Sequence, residues 1–172
     1  ILEWDLDTMT VVIEPGVLVM ELANAAQEKG VFYPPEPGEK TASVGGNVMT
    51  NAGGMKAVGY GVTRNYVVSM ECVMPNGDVM QFGSNVAKNT SGYDIKDLVI
   101  GSEGTLGIIT ELTLKLIPAP KETISLIIPY ENLEDCIATV PKFFMEHLQP
   151  QAIEFMEKEI VLASERYLGK SV

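Results

Sequence analysis

The 172-residue chain is 46% hydrophobic, with 23 acidic residues against 12 Lys and Arg and a formal net charge of -11. That length and apolar fraction support one well-buried domain, or one domain with part of a second, and exclude a disordered chain. The charge argues against a nucleic-acid surface and against anionic lipid headgroups, so a phosphate held here needs help from backbone N–H groups.

The first readable unit is "TVVIEPG", a β-branched strand over 10–14 stopped by Pro15 and Gly16. "VLVMELANAAQEKG" follows, with Leu18, Leu22 and Ala25 or Ala26 at helical spacing and Gly30 as the stop. Pro34, Pro35 and Pro37 make a stiff loop after it. "NYVVSMECVMPNGDVMQF" predicts a β-hairpin, alternating Ser69 and Glu71 against Val68, Met70, Cys72 and Met74, with Asn76-Gly77 as a two-residue turn. In "GSEGTLGIITELTLKLIPAP" a glycine loop precedes a long strand, predicted to place Ile108, Thr110, Leu112, Leu114 and Leu116 on a buried face and Glu111, Thr113 and Lys115 on a wet one. One wet face favours an antiparallel sheet. Residues 117–122 read as a linker. Beyond it the pattern predicts a strand near 124–128, a helix over 132–147, a short strand near 152–155 and a helix ending near Leu168, the opening of an incomplete second α+β unit.

Two cysteines, Cys72 and Cys136, lack the spacing of a disulfide framework or a zinc knuckle, which favours a reducing, cytoplasmic setting. No apolar run approaches the roughly 20 residues of a membrane span, and no basic region with an apolar core stands at the N-terminus. The chain begins at Ile1, so a targeting segment ahead of it stays open, as does peripheral membrane attachment through a partner.

The stretch "ASVGGNVMTNAGG" concentrates bare backbone, and glycine inside an element costs about 0.5–1 kcal/mol relative to alanine. No G-x-G-x-x-G occurs, because Arg64 stands where the third glycine after Gly59 and Gly61 belongs. A phosphate loop ending in "GEKT" fails as well, with Tyr33 in place of its first glycine. Both glycine segments are flanked mainly by predicted strands. What remains is an anion site of converging turn N–H groups, with Asn47 and Asn51 as amide donors, or tight turns where strands pack closely. These residues alone leave both readings open.

"PPEPGEKTASVGGNVMTNAGGMKAVGYGVTRNYV" together with "NTSGYDIKDLVIGSEGTLGIITELTLKLIPAPKE" resembles the FAD-binding domain of vanillyl-alcohol-oxidase-type (PCMH-type) flavoenzymes, near the glycolate oxidase flavin subunit and the D-lactate and D-2-hydroxyglutarate dehydrogenases. The resemblance implies an α+β fold: over 1–118 the second half of the FAD-binding domain, mainly antiparallel sheet with helices, and over 119–172 the start of a substrate (cap) domain. It implies FAD as cofactor, with the loop resembling residues 41–54 wrapped around the pyrophosphate and part of the isoalloxazine. Contacts there fall to Ser43, Gly45, Gly46, Asn47, Asn51, Gly53 and Gly54. Glu103, Gly104, Gly107 and Ile108 would line the ribose and adenine end, and Pro35, Tyr60 and Gly61 are weaker candidates. The implied reaction of the intact parent is oxidation of a small 2-hydroxy acid to the 2-oxo acid, with hydride passing to the flavin and electrons on to an unidentified acceptor or partner subunit.

Family members carry a further glycine loop before the segment matched here, and substrate-domain histidines after it, neither of which this sequence contains. The chain is therefore expected to be a fragment, inactive alone, weak in FAD binding, and prone to self-association. Non-catalytic nucleotide or partner binding through degenerate loops, or a same-fold flavoenzyme for another alcohol, remain the alternatives. No catalytic or metal-binding residue is assigned. His147 reads as a helix-end residue rather than a base, Cys72 as core, and Cys136 as helical. Asp94 is expected to fix its loop by accepting backbone N–H groups. Arg64 suits either a pyrophosphate or a carboxylate partner.

Overall fold

The structure is a computed structural model and describes residues 1–39, 41–86 and 88–170. In chain order these form β1 (Glu3–Asp5), β2 (Thr10–Ile13), α1 (Val19–Glu28), β3 (Val31–Phe32), α2 (Val44–Thr50), α3 (Ala57–Tyr60), a 3-10 turn (Thr63–Tyr66), β4 (Val67–Val73), β5 (Val79–Gly83), α4 (Ile95–Val99), β6 (Ile108–Lys115), β7 (Ile117–Pro118), α5 (Leu133–Met145) and α6 (Lys158–Leu168). β1, β2, β6, β4 and β5 lie side by side in that order, each antiparallel to its neighbour. The polar outer face of β6 is what allows this arrangement, since a parallel sheet is covered on both sides. One core holds it together: Val11 and Ile13 of β2, Met70 and Cys72 of β4 and Leu112 and Leu114 of β6, with Leu22 and Ala26 of α1 and Val44 and Val48 of α2, each at most 1% exposed.

Local irregularities change the predicted faces. Glu71 stands opposite Glu111 and Cys72 opposite Ile109, so Thr110 is the extra residue of a bulge. Its consequence is that Ile109 enters the core at 5% exposed while Ile108, expected inside, is 69% exposed. The Thr110 hydroxyl donates to Glu71 Oε1 at 2.6 Å instead of facing the core. A second register shift between Val67 and Ser69 buries Val67 in place of Val68. The β4–β5 hairpin forms as expected, but Met74 N–H donates to Asp78 O and Gly77 N–H to Met74 O, which encloses three residues rather than two. Only Gly77 needs a positive φ, at +89°.

Beyond the sheet the outcome is mixed. The predicted linker begins inside a small ribbon, where β7 pairs with β3. α5 and α6 form where the periodicity places helices. The expected strands near 124–128 and 152–155 are not strands, since neither has a ladder partner among the described residues. None of the described residues after Leu116 is buried. No helix among the described residues is long and apolar enough to cross a membrane.

Candidate site: two glycine segments meeting at the end of a short helix

The glycine-rich stretch forms a helix where a loop was expected. Ser43 caps α2 in an extended conformation, its Oγ accepting from Gly46 N–H at 3.1 Å, and Val44 and Val48 one turn apart are fully buried. Burial of that valine pair, worth about 1.5–3 kcal/mol for each fully buried side chain, outweighs the poor helix propensity of Gly45 and Gly46. Gly45 is required by packing, since a Cβ there would stand 2.5 Å from Pro15 Cβ. The first-turn N–H groups are all used internally: Val44 donates to Val17 O, Gly45 to Pro15 O, Gly46 to Ser43 Oγ and Asn47 to Ser43 O. The N–H groups of residues 44–47 are therefore not free to meet an anion.

The other end of α2 receives the second glycine segment. The last carbonyls of a helix have no partner within it. Here Gly101 N–H donates to Val48 O at 3.0 Å and Glu103 N–H to Met49 O at 2.9 Å, while Gly104 N–H meets Met49 Sδ at 3.1 Å. The structure thus brings residues 43–54 and 101–104 into one assembly. Asn51 ends α2 in the left-handed conformation and its Oδ1 accepts from Arg64 N–H at 3.0 Å, so its side-chain oxygen is committed to the turn. Thr63, fully buried, donates its hydroxyl to Ala52 O at 2.7 Å.

Three sets of donors in this assembly are uncommitted. Asn47 is 4% exposed and its amide nitrogen has no hydrogen-bond partner among the described residues. The adjacent N–H groups of Gly53 and Gly54 likewise have none. The Ser43 hydroxyl, which accepts from Gly46, retains its proton to donate. Bare surface surrounds them, since Gly46 and Gly104 are exposed, and a Cβ at Gly104 would meet nothing within 4 Å.

The remaining expected residues shape the site. Pro35 is buried. Gly54 lies so close to the Glu36 carbonyl that a Cβ would stand 2.1 Å from it. Gly107 is buried against Cys72 Sγ and β4 backbone, which makes it a packing position on the sheet. Tyr60 sets its ring edge-on to Phe32 and its carbonyl accepts from Tyr66 hydroxyl at 2.9 Å. Gly61 abuts the Asn65 side chain, whose Oδ1 accepts from Val62 N–H. Glu103 is exposed with a φ of +53°, and Ile108 is exposed beside it in the chain. Lys40, inside the quoted stretch, lies outside the described residues.

Arg64 takes a carboxylate and backbone partners. Its guanidinium donates to the Asp97 and Ile100 carbonyls and lies 3.4 Å from the Asp97 carboxylate, closing the C-terminal end of α4. Asp94 corrects another expectation, pairing with Lys96 at 3.1 Å and making no side-chain cap bond to α4. Burial raises the Tyr33 hydroxyl well above its ordinary value, with neighbouring Tyr66 adding to the shift, and burial also raises the Cys72 thiol. His147 adopts a φ of +60°, donating N–H to Phe144 O while Leu148 donates to Phe143 O, the double bond that closes a helix C-terminus. Met49 joins the two glycine segments through its carbonyl and its sulfur. Its position beside Val48 marks it as a last-turn residue, but no sequence signal announces a sulfur acceptor for Gly104.

Residues 1–83 match the protein family described as FAD binding domain. The chain is 63% identical over all 172 residues to D-lactate dehydrogenase of Anaerostipes hadrus, covering 36% of that protein. It is 40% identical over 168 residues to glycolate oxidase subunit GlcD of Bacillus subtilis strain 168, covering 97% of this chain and again 36% of the relative. The chain therefore spans about a third of the length of these curated relatives. A solved structure of alkyldihydroxyacetonephosphate synthase superposes with a TM-score of 0.72 at 24% identity over 88% of this chain and 27% of that one, which shows the shared fold. The donor set fits the cofactor. A buried amide without a partner, two successive glycine N–H groups and uncluttered backbone suit a dinucleotide pyrophosphate without demanding positive side chains on an acidic chain.

Proposed function

We propose that this chain is the part of an FAD-linked 2-hydroxyacid oxidoreductase that holds one side of the dinucleotide and begins the substrate unit. The observation that carries the reading is the docking of residues 101–104 on the end of α2 beside the orphaned Asn47 amide. The relatives' names, D-lactate dehydrogenase and glycolate oxidase subunit, support the substrate class.

The Asn47 amide, the Ser43 hydroxyl and the N–H groups of Gly53 and Gly54 would donate to the pyrophosphate. The Glu103 carboxylate would accept from ribose hydroxyls, and exposed Ile108 would cover the adenine end. Gly46 and Gly104 leave room for close approach, while Pro35, Gly45, Asn51, Tyr60, Gly61 and Gly107 fix the backbone from behind. When bound, the flavin would supply the acceptor for hydride removed from C2 of the hydroxy acid, while the hydroxyl proton would pass to a base not assigned in this chain, yielding the 2-oxo acid. The chain's contribution is binding and orientation, with electrons leaving to a separate acceptor or partner subunit. A domain boundary between residues 118 and 119 is supported by the common core ending at Leu116 with nothing described beyond it buried. The free Cys72 and Cys136 are in keeping with a cytoplasmic site.

The test is anaerobic mixing of this chain, extended to the length of its relatives and loaded with FAD, with D-lactate, glycolate or D-2-hydroxyglutarate. Bleaching of the visible flavin band by at least one of them is expected. Bound flavin bleached only by another alcohol would point to a different substrate class, and absence of flavin to a degenerate binding module.

A further inference from the structure

α3 is the place where the described residues of the C-terminal unit meet the glycine assembly by backbone. In a four-residue helix the first-turn N–H groups need outside partners. Ala57 N–H finds Gly54 O, and Gly59 N–H finds Gln151 O at 3.2 Å. The approach at Gly59 is close enough that a Cβ would stand 2.8 Å from Gln151 Cα and 3.0 Å from Pro150 O. Gly59 has no positive φ, so contact, and not conformation, requires a glycine there. One residue earlier, Val58 borders an apolar cavity of about 240 Å³ lined also by Ile137, Val140 and Phe144 of α5 and by Ile153 and Phe155. On its other side α3 is held by Tyr60, through the Phe32 ring and the Tyr66 hydroxyl. The uncommitted N–H groups of Gly53 and Gly54 precede this helix directly.

We propose that α3 rivets the 148–155 segment to the cofactor assembly, with Gly59 as the positioning residue that sets how closely the substrate unit approaches the dinucleotide. The docking stands on the geometry of these contacts, and its effect on turnover rests on the reading of the chain as a 2-hydroxyacid oxidoreductase. A methyl group at position 59 cannot be absorbed by a flexible side chain, because its three nearest neighbours are all backbone atoms. It must push residues 150 and 151 away and break the bond to Gln151.

The experiment is hydrogen exchange on the FAD-loaded, full-length protein, comparing wild type with Gly59→Ala and Val58→Ala. In Gly59→Ala, exchange of amides in 148–155 and at position 59 is expected to accelerate about tenfold or more, while amides of β4 and β6 keep their protection and bound flavin stays stoichiometric. With D-lactate, KM rises about tenfold and kcat changes less than about threefold, the split expected when a binding wall moves. Val58→Ala, which only thins the apolar contact, shifts the same amides in the same direction by less, and it decides the matter should the Gly59 variant lose sheet protection. Unchanged exchange over 148–155 in both variants overturns the proposal. Failure of D-lactate and other 2-hydroxy acids to reduce the wild-type flavin would instead overturn the assigned reaction, and the exchange comparison would still decide the docking.

Discussion

Asn47 sits 96% out of solvent with an amide nitrogen that nothing described satisfies, a state that costs about 1–3 kcal/mol unless a ligand or water relieves it. Asn47→Ala is therefore expected to weaken FAD at least about tenfold, since a hydrogen bond to a charged group is worth about 1.5–3 kcal/mol, while leaving the unfolding midpoint of the cofactor-free protein nearly in place. A chemical melt beside a flavin titration checks both halves. Tyr33 and Tyr66, at 1% and 6% exposed, give a pH prediction. Burial is the main cause raising each hydroxyl, so the folded state favours the neutral forms. The stability they contribute is complete below the ordinary value of 10.0 and is lost as pH rises above it. Ultraviolet titration should show two of the six tyrosines staying protonated past pH 10 until the protein unfolds. At this scale sequence was least informative. Gly45, Gly54 and Gly107 look like Gly46 in a string of letters, yet they are fixed by Pro15, Glu36 and Cys72, partners that only folding reveals.

At the scale of elements, the alternation of β6 and the turn residues of the β4–β5 hairpin were legible because they are local. The bulge at Thr110 was not, since it depends on how β6 registers with β4. The helix α2 was hidden by its glycines, which burial of Val44 and Val48 overrides. Arg64 ties elements together, and its partners at Asp97 and Ile100 are backbone carbonyls at the end of α4. Arg64→Ala is expected to lower the unfolding free energy by about 2 kcal/mol, and Arg64→Lys to recover little of it, because one ammonium cannot reproduce the two-pronged geometry. Denaturant melts of both variants measure this. Gly77→Ala, with open space around the Cβ but a φ of +89°, should cost about 1–2 kcal/mol through strain alone and leave the other elements in place.

For the whole molecule, β2, α1, the β4–β5 hairpin, β6, α5 and α6 were readable in order from hydrophobic pattern and turn residues. The outlying segments 124–128 and 152–155 have strand-like composition but no ladder partner among the described residues, so their composition alone could not make them strands. Ile124, Leu126 and Ile127 are each 79–84% exposed, an apolar surface consistent with the expected tendency of the isolated chain to self-associate. Sedimentation at increasing concentration should show mass above the monomer.

Residues 43–54 and 101–108 are proposed to form one side of a single dinucleotide site. The most direct test is a visible-absorbance titration of FAD into this chain extended to the length of its relatives, in wild-type and Asn47→Ala forms. Stoichiometric binding by the wild type and affinity at least about tenfold weaker in the variant are expected. Equal affinity in the two forms, or no flavin bound by the wild type, would contradict the proposed site.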